Sequence, residues 1–254
     1  MFERLVELVN TTIRPFGIRV ERATADADRT AGISLLDVDG SVSAAENEMN
    51  RLVNLLSYTK TSGSPYNAAP CEGGYHTIEI NGRILAGQRK PTERLKIVPY
   101  DFGAKTVLDL GCNQGGMLFA LGDQIRAGVG VDYDGRMVNA ANRIKASRGN
   151  QNLHFYVHDL EKEPLGLIKS FLMQSGVDIV FLLSVCMWIK NWKDVIDFSA
   201  DIAPAMLFES NGSPEQQHQQ EEYLRSRYKD VVLLQSQSPD DPMQTARRLF
   251  LCNA

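Results

Sequence analysis

From Thr106 to Cys252 the chain alternates short apolar runs with segments of helical spacing, and no other feature narrows its possible folds as far. The runs, rich in Val, Ile and Leu, fall at Thr106–Leu110, Gly128–Asp132, Leu153–Val157, Val177–Leu183, Ala205–Glu209, Val231–Leu234 and Arg248–Cys252. Helical patterns fill the gaps at about 117–125, 135–147, 166–174, 194–202 and 215–227. A helix after nearly every strand is the signature of a parallel, doubly wound α/β sheet, because parallel strands need a right-handed crossover to return. The last two runs have no helical pattern between them, only S-P-D-D-P and a few residues, so they should pair as an antiparallel hairpin at or near the sheet edge. The expected fold is therefore a Rossmann-like sheet of seven strands with an antiparallel last strand.

Upstream the pattern is different. Phe2, Leu5, Val6, Val9 and Ile13 repeat at helical spacing up to Pro15, Ile18 to Val20 suit a short strand, and Ala44 to Leu56 suit a second helix. Ser62, Gly63, Ser64 and Pro65 mark a break. From Tyr75 to Leu85, β-branched residues flank Asn81-Gly82, the strongest short hairpin signal, and Thr92 to Val98 is helix-like again. Residues 1–100 thus read as a helical and hairpin extension, and 101–254 as the main domain.

Composition excludes several classes of protein. The chain has 254 residues, 43% hydrophobic and 23% charged, with a net charge of -4, which gives no overall attraction to nucleic acid or anionic membrane. Cys71, Cys112, Cys186 and Cys252 are scattered, with no paired spacing and no histidine cluster beside them, so reduced thiols and no metal are expected. The opening M-F-E-R-L-V-E-L-V lacks the basic flank of a secretory signal, and the longest apolar stretch, Val177 to Ile189, contains Asp178 and is too short to cross a bilayer. A cytoplasmic protein is the expectation; oligomeric state is not readable.

Thr106 to Gly116 reads T-V-L-D-L-G-C-N-Q-G-G, a strand that ends in a glycine-rich turn before a helix. Gly111 and Gly115 let the main chain turn tightly and a ligand come close, and Asn113 tolerates unusual backbone angles almost as well. The second strand ends at Asp132, 21 residues after Gly111, where an acid that accepts from a ribose diol is expected. Both features point to a nucleoside.

In these residues the chain resembles the class I S-adenosylmethionine-dependent methyltransferases, whose first motif runs acid-x-Gly-x-Gly-x-Gly. Asp109, Gly111, Asn113 and Gly115 fall in that frame, with Asn in place of the middle glycine, and Cys112 lies within it. The resemblance covers roughly Thr106 to Cys252. It implies that Asp132 holds the ribose, that Tyr133 lies along the adenine, that Asp159 meets the adenine amino group with Leu160 beside the ring, and that Leu183 to Met187, Ser184 included, line the methyl-transfer site. Tyr75, Gly87-Gln88-Arg89 and Arg94, followed by Y-D-F-x-x-K-T-V-L-D-L-G-C-N, are similar to bacterial methyltransferases related to tRNA wobble-uridine carboxymethyl-transfer enzymes and to those acting on surface-polysaccharide ends. That likeness implies that the hairpin and the G-Q-R turn fold over the cofactor as a lid, with Tyr75 beside it and Gln88 or Arg89 near its carboxylate.

A nicotinamide-binding domain is the main competitor. Its fingerprint needs G-x-G-x-x-G, whereas this chain offers Gly111, Asn113 and Gly116; Asp109 would also repel a pyrophosphate, while it suits a cationic sulfonium amino acid. Methyl transfer from a sulfonium needs mainly alignment of the reactants, and a hydroxyl or amine acceptor gains from a general base. Glu209, at the end of the fifth strand, and His218 are the expected catalytic residues; His76, His154 and His158 are further candidates, and Trp188 and Trp192 read as core, with stacking on a substrate ring as the alternative. The expected activity is methyl transfer to an oxygen or nitrogen of a small molecule or sugar. A tRNA substrate is the alternative and predicts a basic patch from Arg83, Arg89, Lys90, Arg94 and Lys96; a non-catalytic cofactor-binding partner subunit is the second.

Overall fold

The computed structural model describes residues 44–59, 73–80, 82–241 and 246–254. The helix expected over 2–13, the strand at 18–20 and the break at 62–65 lie outside the described residues. The chain divides into a unit of residues Met1–Arg51 and a larger unit, Leu52–Ala254. Helix α1, Ala44–Thr59, crosses that boundary and extends three residues past the expected end at Leu56.

Seven strands form the central sheet: β5 (Thr106–Leu110), β6 (Ala127–Asp132), β7 (Leu153–Val157), β8 (Ile179–Leu183), β9 (Ala205–Glu209), β10 (Asp230–Gln235) and β11 (Leu249–Asn253). Their order is β10-β11-β9-β8-β5-β6-β7, with β11 antiparallel to both its neighbours and every other pair parallel. The hairpin expected at the edge is there, but its second strand enters the sheet and leaves β10 outside. Strands β5, β6 and β9 are buried at every position, as strands covered on both faces must be, and Phe181, Phe208 and Phe250 are among the largest fully buried side chains. Burying one such ring stabilises the fold by roughly 1.5–3 kcal/mol.

The crossovers carry α3 (Gly116–Leu121), α4 (Gly135–Arg148), α5 (Trp192–Ile202) and α6 (Pro214–Arg227). Asp134 caps α4 by accepting from Arg136 N. Ser213 and Gln216 close a capping box on α6 with Pro214 in its first turn, so Glu209 is not needed as a cap there. One expected helix is corrected. Residues Leu165–Phe171 wind as a 3-10 helix, because Pro164 precedes the segment and Gly166 weakens an α-helix there; Phe171 then stacks on Tyr156 with ring centroids 4.4 Å apart.

Ahead of the sheet lie β1 (Gly74–His76), β2 (Ile78–Ile80), β3 (Arg83–Leu85), β4 (Gly87–Arg89) and the short helix α2 (Pro91–Lys96). β2 and β3 make the expected antiparallel hairpin, while β1 pairs with β4 in parallel, Gly74 opposite Gly87 and His76 opposite Arg89. Thr77 fastens that pairing: its N–H donates to Arg89 O at 2.8 Å and its Oγ1 accepts from Gly87 N at 3.0 Å. The strand order reverses on either side of β5, so the crevice beyond the carboxyl ends of β5, β6 and β8 is where a ligand is expected.

Candidate functional site

The turn after β5 is set by backbone that few residues tolerate. Gly111 and Gly115 have φ of 79° and 76°, and a Cβ on either would come 2.6 Å from Val185 Cγ2 or 2.5 Å from Phe155 Cε1. Asn113 also lies in the left-handed region, at 50°, and its Oδ1 accepts from Gln114 N at 2.8 Å. Gly111 N and Cys112 N both donate to Val131 O, at 2.8 and 3.0 Å, which ties the turn to β6. Asp132 completes the link, accepting from Asn113 N through Oδ2 and from Asp134 N through Oδ1, each at 2.9 Å. Asp109, Gly111, Asn113, Gly115 and Asp132 are thus gathered at one crevice. Cys112 faces away from it: its buried thiol packs on Gly130, so only its backbone serves the turn.

Two carboxylates in this crevice are buried at a cost. Asp109 Oδ2 has no hydrogen-bond partner, and burial, with Asp132 adding like-charge repulsion, raises its pKa to about 7. Burial raises Asp132 to about 6 against the backbone N–H bonds that favour its charge. His76 sits beside the turn, its ring atoms 2.4 Å from where a Cβ on Gly116 would stand. Its Nδ1 is buried without a partner, and burial, then Arg94 and Arg89, hold its pKa down at about 3, so the ring is neutral at pH 7. Arg94 is buried among these groups, close enough to Asp109 and His76 to move both titrations, with Nη2 2.7 Å from Glu209 Oε1. Buried acceptors, a neutral imidazole and a guanidinium in one crevice make a suitable seat for an ammonium and a carboxylate on one ligand. The sequence reading used Arg94 as part of a surface patch and His76 as a base, because burial cannot be read from their spacing.

Glu209 requires a correction. It lies at the end of β9 as expected, but its carboxylate is fully engaged: Arg89 Nη2 donates to Oε1 at 2.7 Å, Ser238 Oγ donates to Oε1 at 2.9 Å, and Ser184 Oγ donates to Oε2. Burial alone would raise its pKa, yet Arg94 and then Arg89 outweigh burial and hold it at about 2. A carboxylate of that acidity is a poor general base at neutral pH. Arg89 is corrected with it. The side chain is 0% exposed, and its Nε and Nη1 donate to Asp240 Oδ2 and Asp241 Oδ2, both at 3.1 Å, so its fork is committed to three acids rather than turned to a ligand carboxylate. Gln88 likewise donates to Asp241 Oδ1 at 3.1 Å. Together they fasten β4 to the connection between β10 and β11. Tyr75, half-buried on β1, stands beside His76 with ring centroids 4.6 Å apart.

The remaining expected residues divide between rim and interior. Tyr133 is 73% exposed at the end of β6, a position open to a ligand. Asp159 caps the following turn through Glu161 N, at 3.0 Å, and pairs with Lys162 Nζ at 2.8 Å, while Leu160 belongs to the hydrophobic core. Ser184 holds a strained φ of 61° at the end of β8. His218 is corrected: it is 68% exposed on α6, 3.4 Å from Glu222, whereas the buried neighbours Gln217 and Gln220 bond to Ser210 and Asn211 at the strand end. The basic patch is also undone, since Arg89 and Arg94 point inward and Lys96 pairs with Glu93 at 2.9 Å. Trp188 is 57% exposed, not core, while Trp192 packs edge-on against Tyr223 at 5.5 Å. Among the described residues no group of His, Cys, Asp or Glu could hold a metal, and no helix is long and apolar enough to cross a membrane.

Residues 108–203 match the family model of a methyltransferase domain. No curated protein matches the sequence significantly. Among solved structures, the chain is similar to the N-terminal domain of EvdMO1 crystallised with SAH and D-fucose, at 12% identity and a TM-score of 0.56 over 79% of this chain and 96% of that one. It is also similar to the bifunctional kinase-methyltransferase WbdD, at 18% identity and a TM-score of 0.54 over 78% of this chain. The match spans about half of WbdD, 46% of its length.

Proposed function

We propose that this chain, whose residues 108–203 match a methyltransferase-domain model, is an S-adenosylmethionine-dependent methyltransferase of the class I, Rossmann-like kind, and that it methylates an oxygen or nitrogen of a small molecule or sugar. The observation that carries the cofactor side of this reading is the buried Asp109 carboxylate, unpartnered at Oδ2 beside the glycine turn and close enough to Arg94 to feel its charge. Bound S-adenosylmethionine supplies a methyl group on a positively charged sulfur that is already a good leaving group. The chain's own part is to hold that molecule and align the acceptor.

Asp109 receives the ammonium group, which restores the charge that burial suppresses, and Arg94 with neutral His76 receives the carboxylate. Asp132 accepts from the ribose hydroxyls, Tyr133 covers the adenine, and Asp159 with Leu160 borders its far edge. Ser184 to Met187 face the methyl group. Residues 73–96, anchored through Arg89, cover the amino-acid end, which is the lid role expected of the upstream segment. The N-terminal domain of EvdMO1, crystallised with D-fucose, supports a sugar as the acceptor class.

Calorimetric titration with S-adenosylmethionine, S-adenosylhomocysteine and NAD tests the cofactor assignment. Heat with the first two and none with NAD is expected. Tight binding of NAD alone would overturn it.

A further inference from the structure

Trp188 is mounted in a way that surface side chains rarely are. It closes a 3-10 turn, Cys186–Trp188, that follows β8, and its N–H donates to Val185 O at 2.9 Å. Buried Asn211 clamps both sides of that turn, donating from Nδ2 to Ser184 O and accepting from Met187 N through Oδ1 at 3.0 Å. Ser184 pays for the geometry with its left-handed φ of 61°, a region that residues other than glycine seldom occupy. Val185 presses directly on the cofactor turn, since a Cβ on Gly111 would meet its Cγ2 at 2.6 Å.

A rigid, strained turn packed on the glycine loop thus presents an indole that is 57% exposed. Isolated exposed apolar residues need no explanation, but strain and a dedicated buried clamp beneath one do. Cys186 in the same turn is buried, so the turn does not need the indole to fill the core.

We infer that Trp188 is the platform on which the acceptor's sugar ring stacks, its flat C–H face against the indole and its hydroxyl rim toward solvent. An indole offers a large apolar face at little entropic cost, and a pyranose has one face of C–H groups bounded by polar groups, a match for this setting. The inference rests on the methyltransferase reading, and names the substrate class for that same site.

Trp188 and Trp192 are the only tryptophans, so W192F leaves Trp188 as the sole indole fluorophore. With S-adenosylhomocysteine present, D-fucose should change the emission of W192F saturably. In parallel, methyl transfer to a panel of methyl pyranosides should show a sugar KM about tenfold higher in W188A than in wild type, while W188F stays within about threefold and kcat changes little, as loss of one stacking contact predicts. Unchanged emission with D-fucose and with the pyranosides, alongside intact S-adenosylhomocysteine binding by calorimetry, would overturn the platform and leave the methyltransferase reading standing. A saturable response to uridine or adenosine but not to the sugars would overturn it in favour of a nucleobase. Loss of S-adenosylhomocysteine binding in the wild type would instead overturn the reading beneath it.

Discussion

Asp109 and Glu209 are both acids buried near the carboxyl end of a strand in one sheet, and their surroundings drive them in opposite directions. Asp109 has an unpartnered oxygen, a second acid nearby and a pKa raised to about 7; Glu209 lies among Arg94, Arg89 and Arg247 with a pKa near 2. Position in the fold is therefore a poor guide to role. The acid left short of positive charge is the one prepared for a cationic ligand, and the saturated one holds the structure together.

The largest test of this contrast is Glu209→Gln. Removing the charge takes from Arg94 its buried carboxylate and from Arg89 one of three, so urea unfolding should show a loss of about 3–5 kcal/mol, the usual cost of breaking a buried ion pair. A loss below about 1 kcal/mol would show that the cluster is not structural. Asp109→Asn should do the reverse. Stability should hold or rise, because ionised Asp109 is penalised by the fold, while affinity for S-adenosylmethionine falls roughly 10- to 100-fold with the loss of a charge-assisted hydrogen bond. Equal binding by calorimetry would remove Asp109 from the site.

The pH dependence separates the two regions further. Glu209, depressed in the folded state, contributes stability that is present above its ordinary value of 4.5 and is lost as pH falls toward 2; His76 acts in the same direction between 6.5 and about 3. Asp109, raised in the folded state, favours folding at low pH, and that contribution is lost as pH rises from 3.8 to about 7. Unfolding measured across pH 3 to 8 should accordingly have a shallower acid-side slope in Glu209→Gln, where that of His76 remains, and a shallower neutral-side slope in Asp109→Asn, where that of Asp132 remains. Cofactor affinity should rise toward pH 7 as Asp132 and then Asp109 ionise; a flat profile would argue that Asp109 meets no cation and Asp132 no hydroxyl donor. The smallest effect belongs to His218→Ala, where activity within about twofold and stability within about 0.5 kcal/mol of wild type are expected for an exposed residue.

Most of the sheet was legible in the sequence because its signals are local. Strands β5, β7 and β9 begin and end where the apolar runs do, and the turn after β5 announces itself through Gly111, Asn113 and Gly115. What failed was whatever depends on partners distant in sequence. Arg89 and Arg94 read as a solvated basic face because nothing nearby explains their burial; the acids that draw Arg89 inward, Asp240 and Asp241, lie about 150 residues further on. Glu209 was placed correctly and assigned wrongly for the same reason. Trp188, expected in the core, ends the 3-10 turn Cys186–Trp188 and is 57% exposed, a placement that residue type alone does not reveal.

The insertion of β11 between β9 and β10 has a consequence for how the molecule assembles. Among the described residues β10 pairs with β11 alone, so it joins the sheet only through a strand that follows it in the chain and docks on β9. The connection carrying Asp240 and Asp241 is fixed by that event, and Arg89 has its full set of partners only afterwards. Such distant pairings close slowly. Refolding monitored by hydrogen exchange should therefore protect β5 and β8 early and residues 87–89 last, so that the sheet matures before the segment over the cofactor crevice is locked in place.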